Sequence, residues 1–551
     1  MNFFKLISKN NEGIWAAIIS AAVIAGLLQG MIIVNLNGAA SSIADGELNI
    51  RYFLLFLMSV LGYGLASNYA STQTVIVSSN LIIDLYIRIA DKVHKADLRS
   101  FEKIGKTEVY NRLSTNSDII MEAAKSYPHV GAAIVMIIFS AIYISIISTI
   151  AIILIILFYI FGGFIYFSIL HNIRKKINQS TLSESKFKGT FKHIIEGFKE
   201  IKINQIKSHD LLDNHIKKQS EIAKKDKVSM EKDLVHASIF VQSFYYMIIA
   251  FTIFLLPQIS SLQPVQIVMI AAVVLFSYGS MTRIVMSIPL IMKTENAINS
   301  IEKLESQLDA ANDTKAFIDA GPLKRKTDLI EIELDKVMFK YVTNQGNVAF
   351  TLGPITMTAK TGEIIFVVGE NGSGKSTLLK LIAGLYYAVD GQILVNSQII
   401  GPENYIHYRD KTSIIFTDFY LFDRFYGNDN IDENLLYDLL VKMELDGKID
   451  FVDQKFTTLN LSAGEKKRLA LLVSKIEDRQ ILIFDEIAAD LDPEFRKFFY
   501  EIYLPELSAQ GKLIIASCHD EKYFHLADKV VNLQSGKIIE GNYLPKDSRE
   551  V

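Results

Sequence analysis

One cysteine, one tryptophan and ten prolines stand in a chain of 551 residues. With Cys518 alone, no disulfide can close within the chain and no multi-cysteine metal site can form in it. Charge is scarce too: only 21% of residues are Asp, Glu, Lys or Arg, and 57 basic against 60 acidic side chains leave a net −3. At a pI near 6.4 there is no chain-wide basic field, so no nucleic-acid partner is expected. A hydrophobic share of 50% and a mean hydropathy of +0.25 exclude intrinsic disorder. The length excludes one compact domain, because a single core stops growing at roughly 250–300 residues.

The missing charge is missing from particular places. Residues 13–36 carry none, the stretch between Arg51 and Asp84 carries none, and the windows between Lys125 and Arg174 and between Asp233 and Arg283 hold 48 and 49 residues without Asp, Glu, Lys or Arg. A charged group at mid-membrane costs about 2.5–3.5 kcal/mol, so such windows signal spanning helices. Each of the two longest windows is twice the length of one span, which at about 1.5 Å per residue crosses roughly 30 Å of hydrocarbon. A tight turn near Ser148 divides one, and Pro257 and Pro264 bracket a turn in the other. Six spans are therefore expected, at about 13–36, 52–79, 128–148, 149–171, 236–257 and 264–292, within a transmembrane domain 1–305.

The lysine-rich loops 84–125 and 171–233 contrast with the loop from Asn37 to Arg51, which carries Asp45 and Glu47. By the positive-inside rule the long loops and both termini are cytoplasmic. Helical apolar spacing persists through LIIDLYIRIADKVHKADL and FKHIIEGFKEIKINQI, so the spanning helices are expected to continue into the cytosol. The lysine excess reads as a solvated helical face plus topology signal. Past Lys293 a charged stretch with a Gly-Pro break suggests a linker at 306–327, and 328–551 then alternates short apolar strands with helices, the pattern of a mostly parallel sheet covered on both faces.

The chemistry lies in this second half. Gly369, Glu370, Asn371, Gly372, Ser373, Gly374, Lys375, Ser376 and Thr377 fit the phosphate-binding loop, with a strand before and a helix after. Glycines let backbone N–H groups wrap phosphates, Lys375 supplies a point charge, and Ser376 offers a hydroxyl to Mg²⁺. In ILIFDE, Asp485 can hold Mg²⁺ through water and Glu486 can polarise the attacking water, although a carboxylate pair there could also cap the next helix. Taken alone, Leu461-Ser462-Ala463-Gly464-Glu465 is an ordinary helix start with Ser462 as cap.

In this order and spacing, the three motifs resemble the ATP-binding cassette family, whose usual signature is LSGGQ. Six spans followed by one cassette resembles the half-transporter layout of ABC exporters: an all-α six-helix transmembrane domain, its helices extended into the cytosol, followed by an α/β P-loop ATPase domain. The resemblance implies ATP and Mg²⁺ as cofactors, Tyr341 stacking on adenine, Glu486, His519 and Lys375 in catalysis, Ser376 and Asp485 on the metal, and Ser462 and Gly464 reaching the γ-phosphate of a partner copy. Ala489, Asp490, Leu491 and Asp492 match the loop that links the two sites. Thr417 falls where the family usually has glutamine, with Asp418 beside it as a candidate metal ligand; Ala463 and Glu465 also depart from the pattern. The segment from Asp97 to Asn116 and FKGTFKHIIEGFKE resemble the first and second coupling segments, which dock on cassettes.

FTDFYLFDRF, DEIAADLDPEFRKFFYEIYLPEL and SCHDEKYFHLAD resemble bacterial cyclic-peptide and siderophore exporters, the group with the pyoverdine, syringomycin and microcin efflux proteins. That implies a homodimer in the bacterial inner (plasma) membrane, exporting a peptide-like compound by alternating access. A lipid or lipopeptide flippase, or a multidrug exporter, has the same architecture. Gln29, Asn35, Asn68, Gln73, Gln242, Tyr245 and Tyr246 are polar positions within the spans, suited to a cavity or to interhelical bonds.

Overall fold

The computed structural model describes residues 12–44, 46, 49–311, 330–343, 346–401, 404–428 and 431–539. Most of the expected linker, with Asp45, Glu47 and the first eleven residues, lies outside them. The chain divides into two units, one of residues 1–91 and 105–307, the other of 92–104 and 308–551.

The first unit is helical. Six helices are long and apolar enough to cross a membrane: Gly13–Ala44, Ile50–His94, Lys106–Ile147, Thr149–Glu196, Gln205–Ile259 and Pro264–Ala310. Five have 42 residues or more, well beyond the roughly 20 a bilayer needs, so the helices do continue past the apolar windows. Ser148 alone separates the third and fourth, capping the fourth through the Ala151 N–H. Pro257 is helical, and the turn comes after Ile259, because proline tolerates the first turn of a short helix.

Close packing here uses small residues. At Gly26 on the first helix, a Cβ would lie 2.4 Å from the Ala132 carbonyl oxygen on the third. Polar side chains tie other pairs. Asn35 donates to Ser59 Oγ (3.3 Å) and Asn37 to the Met269 carbonyl (3.2 Å), while the Tyr159 and Tyr245 hydroxyls lie 2.9 Å apart. Asn35 and Tyr245 are thus buried interhelical ties, whereas Gln242 and Tyr246 bond one another on an exposed face.

The fourth helix ends at Glu196, with Gly197 as its C-cap. Two short helices follow, Phe198–Ile203 and Gln205–Asp210, broken at Asn204, whose side chain caps the second. The chain therefore departs from one continuous helix about ten residues later than the start of FKGTFKHIIEGFKE, where Gly and Asn interrupt the ladder.

In the second unit, strands β1 (Glu331–Val342), β2 (Val348–Lys360), β4 (Asp390–Val395) and β5 (Gln398–Ile399) form an antiparallel sheet of order β2-β1-β4-β5. The sequence pattern had shown only the other sheet. That sheet joins β3 (Ile364–Val368), β6 (Thr412–Ile415), β9 (Ile481–Phe484), β10 (Leu513–Ser517), β11 (Lys529–Gln534) and β12 (Lys537–Ile538) in the order β12-β11-β3-β10-β9-β6. Every pairing in it is parallel except β11 with β12. β3, β9 and β10 are buried along their whole length, which explains their unbroken apolar runs. One core, with Phe366, Phe484 and Phe499, fills one face; another, with Phe339, Leu379 and Tyr386, fills the other.

The short helix Leu98–Ile104 belongs to this unit. Arg99 lies 4.9 Å over the Phe339 ring and donates to the Lys340 carbonyl (2.9 Å). Glu102 accepts from Lys380 Nζ (2.9 Å) and from the Tyr386 hydroxyl (2.5 Å).

Candidate nucleotide site

Strand order builds the site. β10 lies between β3 and β9, so the residues that follow these three strands emerge side by side at one sheet edge. They are the loop 369–374, the pair Cys518-His519 and the pair Asp485-Glu486. In open parallel sheets the carboxyl ends of strands are where ligands bind.

The loop fits a phosphate. Gly369, Gly372 and Gly374 hold φ of +142°, +81° and +107°, a region that side chains strain to enter. A Cβ on Gly369 would lie 2.2 Å from the Leu533 carbonyl oxygen. The helix Lys375–Ile382 starts directly after Gly374, so its free N–H groups and dipole face the loop. Lys375 is only 5% exposed, and its Nζ rests on the carbonyls of Gly369 (2.8 Å) and Glu370 (3.1 Å). Ser373 Oγ is buried with no hydrogen-bond partner among the described residues. A buried orphan hydroxyl costs about 1–3 kcal/mol, a debt that a phosphate oxygen would cancel. A cavity of about 310 Å³ opens here, lined by Tyr341, Phe350, Glu486 and the loop residues Asn371, Gly372, Gly374, Lys375, Ser376 and Thr377.

Tyr341 stands on β1. Its ring lies 6.3 Å from that of Phe350, and its hydroxyl is 3.4 Å from both Thr377 Oγ1 and the Tyr386 hydroxyl. An aromatic wall beside the phosphate loop suits a purine base.

Across the cavity, Asp485 is 2% exposed. Burial pushes its carboxyl above the usual range, against the pull of hydrogen bonds from Ser376 and Ser517 and with the Glu486 charge adding to the rise. Among the described residues no group of three His, Cys, Asp or Glu could hold a metal. One carboxylate plus the Ser376 hydroxyl does fit Mg²⁺, which keeps several waters and takes its other ligands from phosphates. Glu486 has a φ of +54°, and its N–H donates to Ser517 Oγ at 2.6 Å. His519 Nε2 lies 3.3 Å from Glu486 Oε1.

A raised carboxyl pKa gives stability below its unfolded value and loses it as pH rises through the folded one, so ionised Asp485 strains the nucleotide-free fold. Asp485→Asn is therefore expected to melt at or above the wild-type temperature without nucleotide, while ATP turnover falls at least about a hundredfold. Calorimetry beside an ATPase assay checks this; a lower melting temperature without nucleotide contradicts the burial argument.

Two contributors carry no sequence motif. Lys467, 3% exposed, donates to the Glu486 carbonyl (2.9 Å) and pairs with the Asp490 carboxylate (2.8 Å), tying the Glu486 backbone to the Asp490 side chain. Ser517 joins Asp485 to the Glu486 N–H. Lys467 lies on the helix Ala463–Glu477, and its only signal was a lysine on that helix's apolar face.

That helix opens with the signature. Ser462 and Glu465 form a reciprocal capping box, and Lys448 reaches Glu465 at 2.7 Å. The Lys448 ammonium and the Ser462 groups hold the Glu465 carboxyl down at about 2, so it is ionised at neutral pH. Glu465 thus closes the cap where the family pattern has glutamine. A Cβ on Gly464 would sit 3.1 Å from the Asp490 carbonyl oxygen. Neither Ser462 nor Gly464 is in the cavity lining. Thr417 Oγ1 bonds the Asp485 carbonyl (3.4 Å), while Asp418 is exposed and also outside that lining. Cys518 is buried behind His519, with burial raising its thiol pKa.

A phosphate loop, a carboxylate pair and a histidine at the ends of adjacent parallel strands define a P-loop nucleotide-binding domain. Residues 352–489 match the family model described as ABC transporter. "ATP-binding protein SyrD" of Pseudomonas syringae pv. syringae is 36% identical over 274 residues, 48% of each chain, so this chain matches about half of that relative's length. "Energy-coupling factor transporter ATP-binding protein EcfA1" of Streptococcus thermophilus is 31% identical over 222 residues, 38% of this chain and 78% of that one. The solved structure of a bacterial Atm1-family ABC exporter with ATP bound shares the fold across 96% of this chain and 95% of its own, with a TM-score of 0.72 at 17% identity. The chain belongs to the ABC transporter family, as a half-transporter with six candidate membrane helices and one ATPase domain.

Proposed function

We propose that two copies of this chain form an ATP-driven exporter in the bacterial inner membrane, with both termini and both ATPase domains cytoplasmic. The observation that carries this reading is the incomplete site: the cavity holds the phosphate loop, Tyr341 and Glu486, while Ser462 and Gly464 are outside it. A second copy contributing its signature would complete each of two equivalent sites.

Within each site the residues have separate tasks. Tyr341 packs the base, the loop N–H groups and Lys375 take the phosphates, and Ser376 and Asp485 hold Mg²⁺, which supplies charge neutralisation when bound. Glu486 orients and deprotonates the attacking water, and His519, within reach of its carboxylate, contacts the γ-phosphate. Binding of ATP between two copies favours the closed pair, and its loss to hydrolysis releases it, which alternates the access of the membrane helices.

The cargo is a peptide-type compound, such as a cyclic peptide, a peptide siderophore or its precursor. Support comes from the likeness of FTDFYLFDRF and SCHDEKYFHLAD to that exporter group and from the 36% identity to SyrD. The test is purified protein in proteoliposomes: peptide compounds from the native cell are expected to raise ATP hydrolysis several-fold and to accumulate inside when the ATPase domains face outward. Stimulation by lipids alone, with no peptide accumulated, replaces the exporter with a flippase.

A further inference from the structure

At the signature, both hydrogen-bond donors of Ser462 are already committed to one carboxylate. The Ser462 N–H donates to Glu465 Oε2 (2.9 Å), and the Ser462 hydroxyl donates to the same oxygen (2.7 Å). Chemistry fixes the direction, because an ionised carboxylate only accepts and the Glu465 N–H, which donates to Ser462 Oγ (3.3 Å), cannot accept. A hydroxyl has one proton, so Ser462 has none left for a further acceptor. The other carboxylate oxygen, Glu465 Oε1, takes the Lys448 ammonium at 2.7 Å. Lys448 is anchored through its backbone: its N–H donates to the Leu445 carbonyl (3.2 Å), and Leu445 and the adjoining Ile449 are buried. Ser462 itself is exposed.

A phosphate oxygen, like a carboxylate, accepts hydrogen bonds and offers none. A γ-phosphate that reaches Ser462 on a second copy must therefore win the hydroxyl from Glu465, and the two anions also repel one another at close range. Glutamine, usual in the family at this position, closes a capping box as well as glutamate does but carries no charge. The surroundings make the exchange reversible. When the Ser462 hydroxyl turns away, Glu465 keeps the Ser462 N–H on Oε2 and Lys448 on Oε1. When the γ-phosphate is gone, the hydroxyl finds its former acceptor in place.

We propose that Glu465 and Lys448 form a latch on the signature: Glu465 competes with the γ-phosphate bound by a partner copy for the Ser462 hydroxyl, and Lys448 holds and neutralises the competing carboxylate. This rests on the reading of Ser462 as completing the partner's site and adds regulation to it. The proton stays on Ser462 Oγ throughout; only its acceptor changes. The latch raises the ATP concentration at which two copies close and favours their reopening after hydrolysis. Lys448 is a positioning residue, acting only through Glu465.

The test measures ATP turnover against ATP concentration for the purified full chain in lipid nanodiscs, as wild type, Glu465→Gln, Lys448→Gln and the double variant, with Ser462→Ala beside them. Glu465→Gln is expected to lower the half-saturating ATP concentration about three- to tenfold, the difference between a charge-assisted and a neutral hydrogen bond. Lys448→Gln raises it by a similar factor. In the double variant it returns to the Glu465→Gln value, because Lys448 then has no charge to neutralise. An ion pair partly open to solvent adds little to stability, so all three variants should melt near the wild-type temperature without nucleotide. A half-saturating concentration that is unchanged or raised in Glu465→Gln overturns the latch, and so does a Lys448→Gln effect that persists in the double variant. If Lys448→Gln melts well below the wild type, Glu465→Gln decides alone. Ser462→Ala tells apart a failure of the underlying reading: turnover like the wild type means that the signature does not reach the nucleotide, and the latch falls with it. Turnover at least about tenfold lower in Ser462→Ala, with no effect of Glu465→Gln, leaves that reading standing and removes the latch.

Discussion

Replacing Glu486 with glutamine is expected to lower ATP turnover by about 10²–10⁴-fold, the range for losing a positioned general base, while leaving ATP binding intact. The backbone supports this separation. Glu486 is held by the Ser517 hydroxyl at its N–H and by Lys467 at its carbonyl, neither of which needs the carboxylate. Glutamine keeps the side-chain shape and still offers an oxygen to His519, now 3.3 Å from Oε1, so only proton acceptance is lost. With ATP present the variant should accumulate as a closed pair, visible as ATP that stays bound to the protein through gel filtration. Turnover near the wild-type rate would remove Glu486 from the base role and turn attention to His519.

The second large effect is at Lys375. Truncation to alanine is expected to weaken ATP binding about 10–100-fold, and turnover with it, because the loop loses its one buried cation. The ammonium now rests on the Gly369 and Glu370 carbonyls, and those oxygens would be left without a donor in a buried loop. Some loss of domain stability therefore accompanies the loss of binding, and the two are separated by melting the protein with and without ATP. In wild type, ATP at a hundred times its Kd raises stability by about 2.7 kcal/mol; in Lys375→Ala at the same concentration that increment should fall to about 0.4–1.4 kcal/mol. An unchanged increment contradicts the role given to Lys375.

The helices were legible because charge is excluded from a bilayer over the whole length of a span, and no packing choice can hide that. Their breaks were less legible. The turn after Ile259 and the short helices from Phe198 depend on a proline, a glycine and an asparagine whose effects are local and shift by a few residues. In the ATPase domain the phosphate loop was readable because three positive-φ positions must be glycine. Ser517 and Lys467 were unreadable: a serine in a strand and a lysine on a helix become functional only through what folds beside them. The antiparallel sheet was missed for a similar reason, since strands such as β1 alternate with burial on one side and resemble ordinary amphipathic segments.

The sequence by itself determined the chemistry available to this protein: a phosphate cradle, a carboxylate pair, a histidine after an apolar strand and charge-free spans. Each follows from neighbouring residues, where backbone conformation or the cost of burying charge leaves little choice. Tertiary structure decided which of these meet. β3, β9 and β10 come far apart in the chain, and only the order β3-β10-β9 brings Lys375, His519 and Glu486 to one edge. The same holds in the helical unit, where Tyr159 and Tyr245 are 86 positions apart in the chain and their hydroxyls lie 2.9 Å apart. Long-range pairing is set by the burial of whole faces, a property of the assembled core and of no single segment.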